Sequence, residues 1–403
     1  MIKKFPLQKR LNPDCLCFVS NIPKNKVELW SSVEYAGFGR ALVRCLSARG
    51  VLASLQYEVG QKDYWEVKGI GSRIAFRFRA YVWYPLRCVW RFLSGNRPLL
   101  AVVSTNTFYV PLLAILCKRR KVRIVHWVLD LYPDVLELHG VIKAGGVVSN
   151  VLSSLIAFTI RASSANVFLG RHLLAHAESR FGRIKNARVI PVGADGSPFL
   201  GKCPSLRAGA VKILYSGNFG RMHDIETIEK AITLGLPLNV SLVFRSSGAG
   251  YRRLRDNIRK IRPTGASVGI RGGIEFRESL GDDGWRDEML SADIALVTVR
   301  RGAEGVIMPS KTYSAMVAGQ AILAIAPTNS DLAELVRDHN CGWLVEPGDV
   351  DGLIRTFEEI VGSRDLVLRK RLAAYHAGHA YFDQKVLADE WIKLLHSTEN
   401  GDA

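Results

Sequence analysis

The segment SGNFGRMHD, residues 216–224, places two glycines ahead of an arginine. The apolar run VKILYS before it predicts a β-strand, and isoleucines at helical spacing after it predict a helix. Gly217 and Gly220 allow backbone conformations that side chains forbid, and a helix that begins at such a turn directs its unpaired N–H groups at the space above the strand. Arg221 adds a guanidinium that matches the oxygens of a phosphate. The segment therefore predicts a phosphate site, with an ordinary glycine turn as the alternative.

A second group of polar residues follows the apolar run ADIALVTV. Pro309 suits the first turn of a helix, where Ser310 and Lys311 place a hydroxyl and an ammonium at a second positive helix end. Glu304 precedes them in the same loop and can accept hydrogen bonds from sugar hydroxyls, whereas the cations bind phosphate. A packed crossover helix with a solvated lysine is the alternative. Together with the glycine turn, these residues predict a site for a sugar nucleotide rather than a bare nucleotide.

Short apolar runs alternate with helical patterns along both halves of the chain. Strands separated by helices predict parallel sheets with crossover connections, so we expect an α/β protein with two doubly wound, Rossmann-like domains. Ligands of such sheets bind beyond the carboxyl ends of the strands, and two facing domains form a central cleft lined by loops from both. Both groups of polar residues fall in loops of this kind.

The length of 403 residues also suits two domains. Residues 193–209 are rich in glycine, proline and serine, which is typical of a linker. We therefore expect an N-terminal domain over residues 1–200 and a C-terminal domain over residues 201–385. The remaining segment, residues 386–403, is a helical candidate for packing back on the N-terminal domain.

Three motifs in the second half of the chain stand in a recognisable order. They are SGNFGRMHD, then ADIALVTV with a glutamate ahead of PSK and a helix ending in AG, then NCGWLVEPGD. These motifs resemble the donor-binding half of the GT-B glycosyltransferases of family four, the group-one transferases. The segment VHWVLDLYPD is similar to the acceptor domain of relatives that build bacterial surface polysaccharides. The resemblance runs from about residue 97 to residue 360 and implies the GT-B fold.

The resemblance implies an enzyme that moves a sugar from a nucleotide-diphosphate sugar to a saccharide acceptor, which we expect to be lipid-linked. The N-terminal domain would bind the acceptor and the C-terminal domain the donor. Transfer would retain the anomeric configuration and need neither a metal nor another cofactor, because fixed cations and helix ends can stabilise a diphosphate leaving group.

The family's site residues carry over position by position. Arg221 matches the diphosphate arginine, and Glu304 matches the first glutamate of the family's paired-glutamate motif. Glu334 matches a glutamate that lies near the nucleotide. Asn218, between the two glycines of the turn, joins the predicted donor-binding group.

Two positions depart from the family pattern. Many members carry a lysine shortly after the arginine, where this chain has Glu226, so Lys311 becomes the candidate for the second cation. The second glutamate of the pair is missing, and Tyr313 or Ser314 stands near its place. Recognition of the ribose is therefore left open by the sequence.

The N-terminal domain offers fewer candidates. Asp130 ends the run VRIVHWVLD, where loops of the first domain would face the cleft; it is a candidate to take the acceptor's proton or to orient the acceptor, or a structural turn residue. His126 is a second candidate, although a histidine within an apolar strand is usually a buried core residue. Gly37 and Gly39 open the first predicted helix and, as in relatives, would let a ligand approach the backbone.

No metal site is predicted. His172 and His176 lie on one predicted helix without a third ligand nearby. The Asp-x-Asp match at residues 349–351 begins a helix and is expected to be a helix cap. The seven cysteines are scattered, with Cys15 and Cys17 the only close pair, which is typical of reduced cytoplasmic thiols.

The formal charge of +18 favours polyanionic partners such as nucleic acid, an anionic membrane or nucleotides. Residues 72–97 interleave arginines with aromatic residues, a pattern found in helices of the membrane headgroup layer, in amphipathic crossover helices and in surfaces that stack on single-stranded nucleic acid. No stretch predicts a membrane span or a signal peptide. We therefore expect a cytoplasmic protein, peripheral on the inner membrane face, without a nucleic-acid partner.

Three alternatives stay open. A nucleotide-sugar 2-epimerase has the same two-domain fold but acts on the donor alone. A basic nucleic-acid-binding protein agrees with the charge but not with any recognisable reader motif. The two departures from the family pattern also permit an inactive member.

Overall fold

The computed structural model describes residue 23 and residues 26–34, 38–60, 63, 69–94, 100–118, 122–261, 273–278 and 282–401. Several features of the sequence prediction lie outside these ranges. They include Gly37, the cysteine pair Cys15 and Cys17, Arg97, and the predicted strands CLCFVS and ASVGI.

Twelve strands and fifteen helices are present in the described part of the chain. The strands are β1 (Val27–Trp30), β2 (Ala53–Gln56), β3 (Leu100–Ser104), β4 (Arg123–Val128), β5 (Ala165–Phe168), β6 (Ala187–Val189), β7 (Val211–Asn218), β8 (Val240–Ser247), β9 (Gly273–Arg277), β10 (Ile294–Thr298), β11 (Ala321–Ile325) and β12 (Gly342–Val345).

The helices are α1 (Phe38–Ser47), α2 (Ile70–Phe78), α3 (Tyr84–Leu93), α4 (Val110–Cys117), α5 (Asp134–Leu138), α6 (Val147–Ala162), α7 (Arg171–Phe181), α8 (Glu226–Leu234), α9 (Ala249–Ile261), α10 (Asp282–Ser291), α11 (Lys311–Val317), α12 (Asp331–Asp338), α13 (Val350–Gly362), α14 (Arg364–Ala377) and α15 (Gln384–Asn400). Short π-helical turns join α2 to α3 and α14 to α15. None of the described helices has both the length and the apolar character that a membrane span requires.

The first sheet contains six parallel strands in the order β2-β1-β3-β4-β5-β6. Its central strands are buried almost throughout, which accounts for apolar runs such as LAVVS, because helices cover both faces of a parallel sheet. The strand β1 was not predicted from the sequence. The predicted strand VLASLQYEV is confirmed only in its middle, at β2.

The second sheet is also parallel, in the order β12-β11-β10-β7-β8-β9. Strand β7 lies between β8, which follows it along the chain, and β10, which comes later. The order of strands therefore reverses between β7 and β10, and ligands of doubly wound sheets bind at such a switch point. The prediction of two doubly wound α/β domains is confirmed.

Close strand pairing explains one glycine. At Gly342 in β12, an added Cβ would lie 1.8 Å from the carbonyl oxygen of Ile322 in β11. No side chain fits at that distance, so glycine is required where these strands pair.

The last helix, α15, packs against α1 and β4 of the first domain. Trp391 meets the edge of Trp127 with ring centroids 5.2 Å apart, and Arg49 donates to Asp389 at 2.5 Å. This helix connects the end of the chain to the N-terminal domain across the linker region.

Candidate active site

A cavity of about 970 Å³ lies between the two domains. The second sheet lines it with the loops after β7 and β10, which flank the switch point, and the first sheet contributes the loop after β4. Volumes of this order accommodate a nucleotide-sized ligand. The cavity therefore lies where the sequence places its two groups of polar residues.

The glycine turn at the end of β7 lines this cavity. Gly217 has a φ of +116°, which residues with a side chain rarely adopt. Behind the turn, Gly248 leaves no room for a side chain, because an added Cβ would lie 2.3 Å from Oδ1 of Asn218. Gly250 N donates to the carbonyl oxygen of Phe219 at 3.0 Å. The sequence prediction did not include these two supporting glycines, although SGAG after β8 is a visible turn signal.

Lys311 lies directly over the glycine turn. Its Nζ lies 3.8 Å from the centre of the Tyr215 ring and donates to the Tyr215 hydroxyl and, at 3.4 Å, to the carbonyl oxygen of Asn218. An added Cβ on Gly217 would be 3.8 Å from this Nζ. Burial lowers the pKa of Lys311 to about 7. The ammonium thus stands at the glycine turn with no carboxylate to neutralise it among the described residues.

His223 lines the same part of the cavity in its neutral form. Its Nδ1 donates to the carbonyl oxygen of Thr298 at 2.7 Å. Burial, and then the nearby charge of Lys311, lower the pKa of His223 to about 3. Since Nδ1 carries the proton, Nε2 keeps its lone pair and can accept a hydrogen bond from a ligand. The sequence prediction did not single out His223.

Arg221 lines the cavity as an exposed side chain. Its Nη1 donates weakly, at 3.4 Å, to the carbonyl oxygen of His139 in the first domain. Arg300 donates to the carbonyl oxygens of Arg221, at 3.3 Å, and of Leu138, at 3.1 Å. Arg221 is held in the cleft by contacts that a phosphate could replace.

The helix predicted after the glycine turn is confirmed, but its first turn does not line the cavity. Helix α8 begins at Glu226, beyond the turn, and Asp224 caps it by accepting from Thr227 N at 3.1 Å. Glu226 itself is exposed and lies 3.7 Å from Arg253 on the outer surface. The cations Arg221 and Lys311, rather than a helix dipole after β7, therefore supply the positive charge.

The helix after Pro309 begins as predicted to within two residues. Ser310 is the N-cap and Lys311 the first residue of α11. Ser310 and Ser314 both line the cavity. Of the two residues that stand near the place of the family's second glutamate, Ser314 lines the cavity and Tyr313 is buried.

Asp130 lines the cavity from the first domain. Its backbone is tied to Thr105, whereas its carboxylate makes no hydrogen bond with the described residues. Burial raises the pKa of Asp130 to about 6. His126 instead points into the core, where Nδ1 contacts Asn166 Oδ1 at 3.1 Å and burial lowers its pKa to about 4. The structure therefore favours Asp130 over His126 as the group that meets an acceptor.

The structure does not bring Glu304 or Glu334 to the cavity lining. Glu304 accepts from Gly302 N at 2.6 Å within its own loop. Glu334 pairs with Arg171 of the first domain at 2.8 Å. Neither carboxylate is part of the cavity lining in this arrangement, and the contacts predicted for Glu304 with the sugar and for Glu334 with the nucleotide stay predictions.

Of the glycines predicted to bind ligand, Gly217 and Gly220 line the cavity, as does Asn218 between them. Gly39 is buried in α1, and an added Cβ there would only touch Leu55 at 3.6 Å. Phe38, its neighbour, lines the cavity instead.

Several charged cavity residues were not predicted. The clearest is Arg245 at the end of β8, which donates to Glu288 at 3.0 Å and is paired in register with Ser216 of β7. Its position was accessible from the sequence, because the carboxyl ends of adjacent parallel strands meet at one edge. Others in the lining are Arg40, Arg44, Asp195 and Arg286.

No cluster of possible metal ligands occurs among the described residues. His172 lies 3.6 Å from Glu334, and His176 lies 2.8 Å from Asp134. Asp349 accepts from Gly352 N at 2.8 Å, so its predicted role as a helix cap is confirmed.

Two facing Rossmann-like domains with a cavity between their strand ends define the GT-B class of architecture. Known structures agree. HepE of Anabaena, in complex with UDP, has a TM-score of 0.62 at 13% identity over 92% of this chain and 99% of HepE. Sucrose-phosphate synthase of Thermosynechococcus elongatus has a TM-score of 0.63 at 16% identity over 92% and 98% of the two chains. The chain has the GT-B fold.

Sequence comparison points to one group within that class. Residues 210–363 match the family described as Glycosyl transferases group 1. The Pseudomonas aeruginosa protein WbjE, named a probable glycosyltransferase, is 27% identical over 280 residues, which are 66% of this chain and 65% of WbjE. The match thus spans less than two thirds of that relative. The resemblance to the group-one glycosyltransferases predicted from the sequence is confirmed.

Proposed function

We propose that this protein is a glycosyltransferase that takes a sugar from a nucleotide-diphosphate sugar. The observation that carries the proposal is the position of Lys311, whose ammonium lies over Gly217 at the switch point of the second sheet. Burial lowers the pKa of Lys311 to about 7, which disfavours its charged form. A bound anion stabilises the ammonium and so favours the charged form again. The diphosphate of the donor meets this requirement.

Relatives support a nucleotide-sugar donor. Structures of HepE contain UDP, UDP with glucose, and UDP-glucose. We extend this donor class to the present chain because it shares the fold of HepE and has a cavity between its two domains. The particular sugar and base follow from loop contacts rather than from the fold.

During transfer, the bond between sugar C1 and the diphosphate oxygen breaks, and its electron pair goes to the diphosphate. Lys311 and Arg221 stabilise this growing charge in place of a metal ion. The acceptor's hydroxyl oxygen bonds to C1 on the same face from which the diphosphate leaves, while Asp130, in its ionised form, accepts the hydroxyl's hydrogen bond and takes its proton. We propose retention of the anomeric configuration, as the family resemblance implies.

We further propose that the acceptor is a lipid-linked saccharide of a surface-polysaccharide pathway. The protein would then work on the inner face of the membrane as a peripheral protein. The arginines and aromatic residues of the segment over residues 72–97 and the net charge of +18 support an anionic membrane surface as partner.

Thermal-shift titration against a panel of nucleotide sugars, including UDP-glucose, tests the donor proposal. We expect at least one nucleotide sugar to stabilise the wild type and the variant Lys230→Met, whose changed residue is exposed on the outer surface. The variant Lys311→Met should lose this stabilisation. Failure of every nucleotide sugar to bind, or undiminished binding to Lys311→Met, would refute the proposal. Conversion of the donor's sugar without any acceptor would favour the 2-epimerase instead.

A further inference from the structure

Helix α6 carries a stripe of apolar side chains on its solvent side. Val148, Val151, Leu155 and Phe158 recur at the spacing of one helical face, and Val147 stands beside them at the first turn. Val147 is 81% exposed and Phe158 is 47% exposed. Large apolar side chains in such a row are not accounted for by the protein's own packing.

The opposite side of α6 already forms a complete interface with the domain. Ile156 and Ile160 are buried in the core, and the Ser149 hydroxyl donates to Glu137. The orientation of the helix is therefore fixed by its inner face. The outer stripe is a separate surface.

The stripe continues over two neighbouring helices. Helix α3 packs against α4, and α4 packs against α6. Tyr84 and Phe92 of α3 are buried against Trp30, whereas Trp90 on the other side is 70% exposed. We call the exposed apolar residues of these helices the apolar face: Leu86, Trp90, Leu93, Leu116, Val147, Val148, Val151, Leu155 and Phe158. Continuous exposed apolar surfaces of this kind mark interaction sites.

Positive charge accompanies the apolar face. Helices α2, α3, α4 and α6 contain no acidic residue. Arg73 and Arg77 of α2 are exposed and form no ion pair with the described residues, and Lys143 is exposed just before α6. On an anionic bilayer, arginines contact the headgroups, and apolar and tryptophan side chains contact the acyl chains beneath them.

An exposed apolar residue just before α6 links the neighbourhood of the apolar face to the cavity. Val141, in the loop between α5 and α6, is 65% exposed and lines the cavity. The same loop provides His139, whose carbonyl oxygen accepts from Arg221. A surface lying against α6 would thus lie at the mouth of the cavity.

We infer that the apolar face, centred on α6, docks on an anionic lipid bilayer and presents the mouth of the cavity to the headgroups. This inference rests on the proposed function and specifies which surface delivers a lipid-linked acceptor. A second copy of the chain fits this surface less well, because two such faces would bring together the exposed Arg73 and Arg77 of both copies, and the helices α2, α3, α4 and α6 offer no acidic residue to pair with them. Anionic headgroups neutralise those arginines, and acyl chains receive the stripe.

Sedimentation with vesicles tests the inference. The full chain is mixed with vesicles of phosphatidylglycerol and phosphatidylethanolamine, and the pelleted fraction is compared between wild type, Val148→Asp/Phe158→Asp and the control Leu234→Asp/Leu238→Asp. The control leucines are exposed in the C-terminal domain, at 69% and 61%. We expect the α6 variant to lose at least tenfold in vesicle affinity and the control to bind as wild type does.

The same proteins are titrated with UDP-glucose, so that the two proposals fail separately. We expect the α6 variant to bind it as wild type does, because the substituted residues do not line the cavity. Wild-type sedimentation of the α6 variant would overturn the docking inference. The docking inference would also be overturned if the wild type did not bind vesicles but formed dimers, and the α6 variant did not form them. Absence of nucleotide-sugar binding together with normal vesicle binding would instead refute only the donor site.

Discussion

The ammonium of Lys311 lies 3.8 Å from the centre of the Tyr215 ring and donates to that ring's hydroxyl. Tyr215 ends the buried part of β7, and Lys311 begins α11 after the neighbouring strand β10. The contact joins the two loops of the switch point and faces the charge toward the glycine turn. An aromatic face holds a cation without neutralising it, so the charge stays available to a ligand.

Donor binding should depend on pH through Lys311. Burial lowers the pKa of Lys311 to about 7 in the free protein, and a diphosphate binds its charged form. Affinity for the nucleotide sugar that stabilises the protein in the thermal-shift panel should therefore be highest below pH 7 and fall by up to roughly fivefold between pH 7 and pH 8. Calorimetry in buffers of different ionisation enthalpy measures both the affinity and the proton uptake. Lys311→Met should bind weakly with no such dependence, and a pH dependence that survives in this variant would assign the proton elsewhere.

Removal of Arg221 should reduce turnover far more than stability. The Arg221 side chain is exposed, and its one hydrogen bond with the described part of the chain is a weak one to the His139 carbonyl oxygen at 3.4 Å, so the fold does not depend on it. Arg221→Ala should lower kcat by roughly a hundred- to thousandfold, the usual cost of one preorganised charge donor. Arg253→Ala is the matched control, since Arg253 is exposed on the outer surface near Glu226. Near-wild-type rates in Arg221→Ala would show that Arg221 takes no part in the reaction.

Acid pH should reduce activity through Asp130. Burial raises the pKa of Asp130 to about 6, and only the ionised carboxylate accepts the acceptor's proton. The rate should therefore rise with pH around a midpoint near 6, and Asp130→Asn should lose both the rate and this inflection. Rate profiles from pH 5 to pH 7.5 measure it. An unchanged inflection in the variant would show that another group titrates.

The raised pKa of Asp130 also predicts that the variant Asp130→Asn is more stable than the wild type above pH 6. The folded protein holds the Asp130 proton more tightly than the unfolded chain, whose carboxyl titrates near 3.8. Stability contributed by the protonated form is thus lost as the pH rises toward 6. Asp130→Asn should raise the Tm at pH 8 and match wild type near pH 3.5, measured by scanning calorimetry. A lower Tm at pH 8 would show that the carboxylate supports the fold.

The sequence predicted the residues of the cavity most accurately where a single rule of parallel-sheet geometry applied. Carboxyl ends of neighbouring parallel strands meet at one edge, and that rule alone brings Gly217 at the end of β7 to Lys311 after β10. Applied to β8, the same rule would have found Arg245. The start of α8 was also predicted, because isoleucines at helical spacing begin at Ile225.

Glu304 and Glu334 show that local sequence patterns do not reveal contacts between the two domains. Their orientation depends on how the domains meet: an added Cβ on Gly305 would lie 2.9 Å from the His176 side chain, so the Glu304 loop packs on α7. Glu334 forms an ion pair with Arg171, which also belongs to α7. Contacts between residues so far apart along the chain carry no spacing signal, so the sequence did not predict these contacts between the domains.

Asp331 should prove to be a cap shared between domains. Its carboxylate, in the C-terminal domain, accepts from His172 N at 2.9 Å and Leu173 N at 3.1 Å, at the start of α7 in the N-terminal domain. Gly170 makes room for it, because an added Cβ there would lie 2.2 Å from Asp331 Cγ. Asp331→Ala should cost about 1–2 kcal/mol, as loss of a helix cap does. Urea unfolding measures this cost.

A matched variant separates a cap between domains from an ordinary one. Asp349 caps α13 within a single domain, so Asp349→Ala should lower stability by a similar amount without changing how the domains meet. Asp331→Ala and Gly170→Ala should, in addition, speed proteolysis in the linker over residues 193–209, because the domains then separate more readily. Equal cleavage rates for the Asp331 and Asp349 variants would mean that other contacts, such as Arg171 with Glu334, hold the cleft closed on their own.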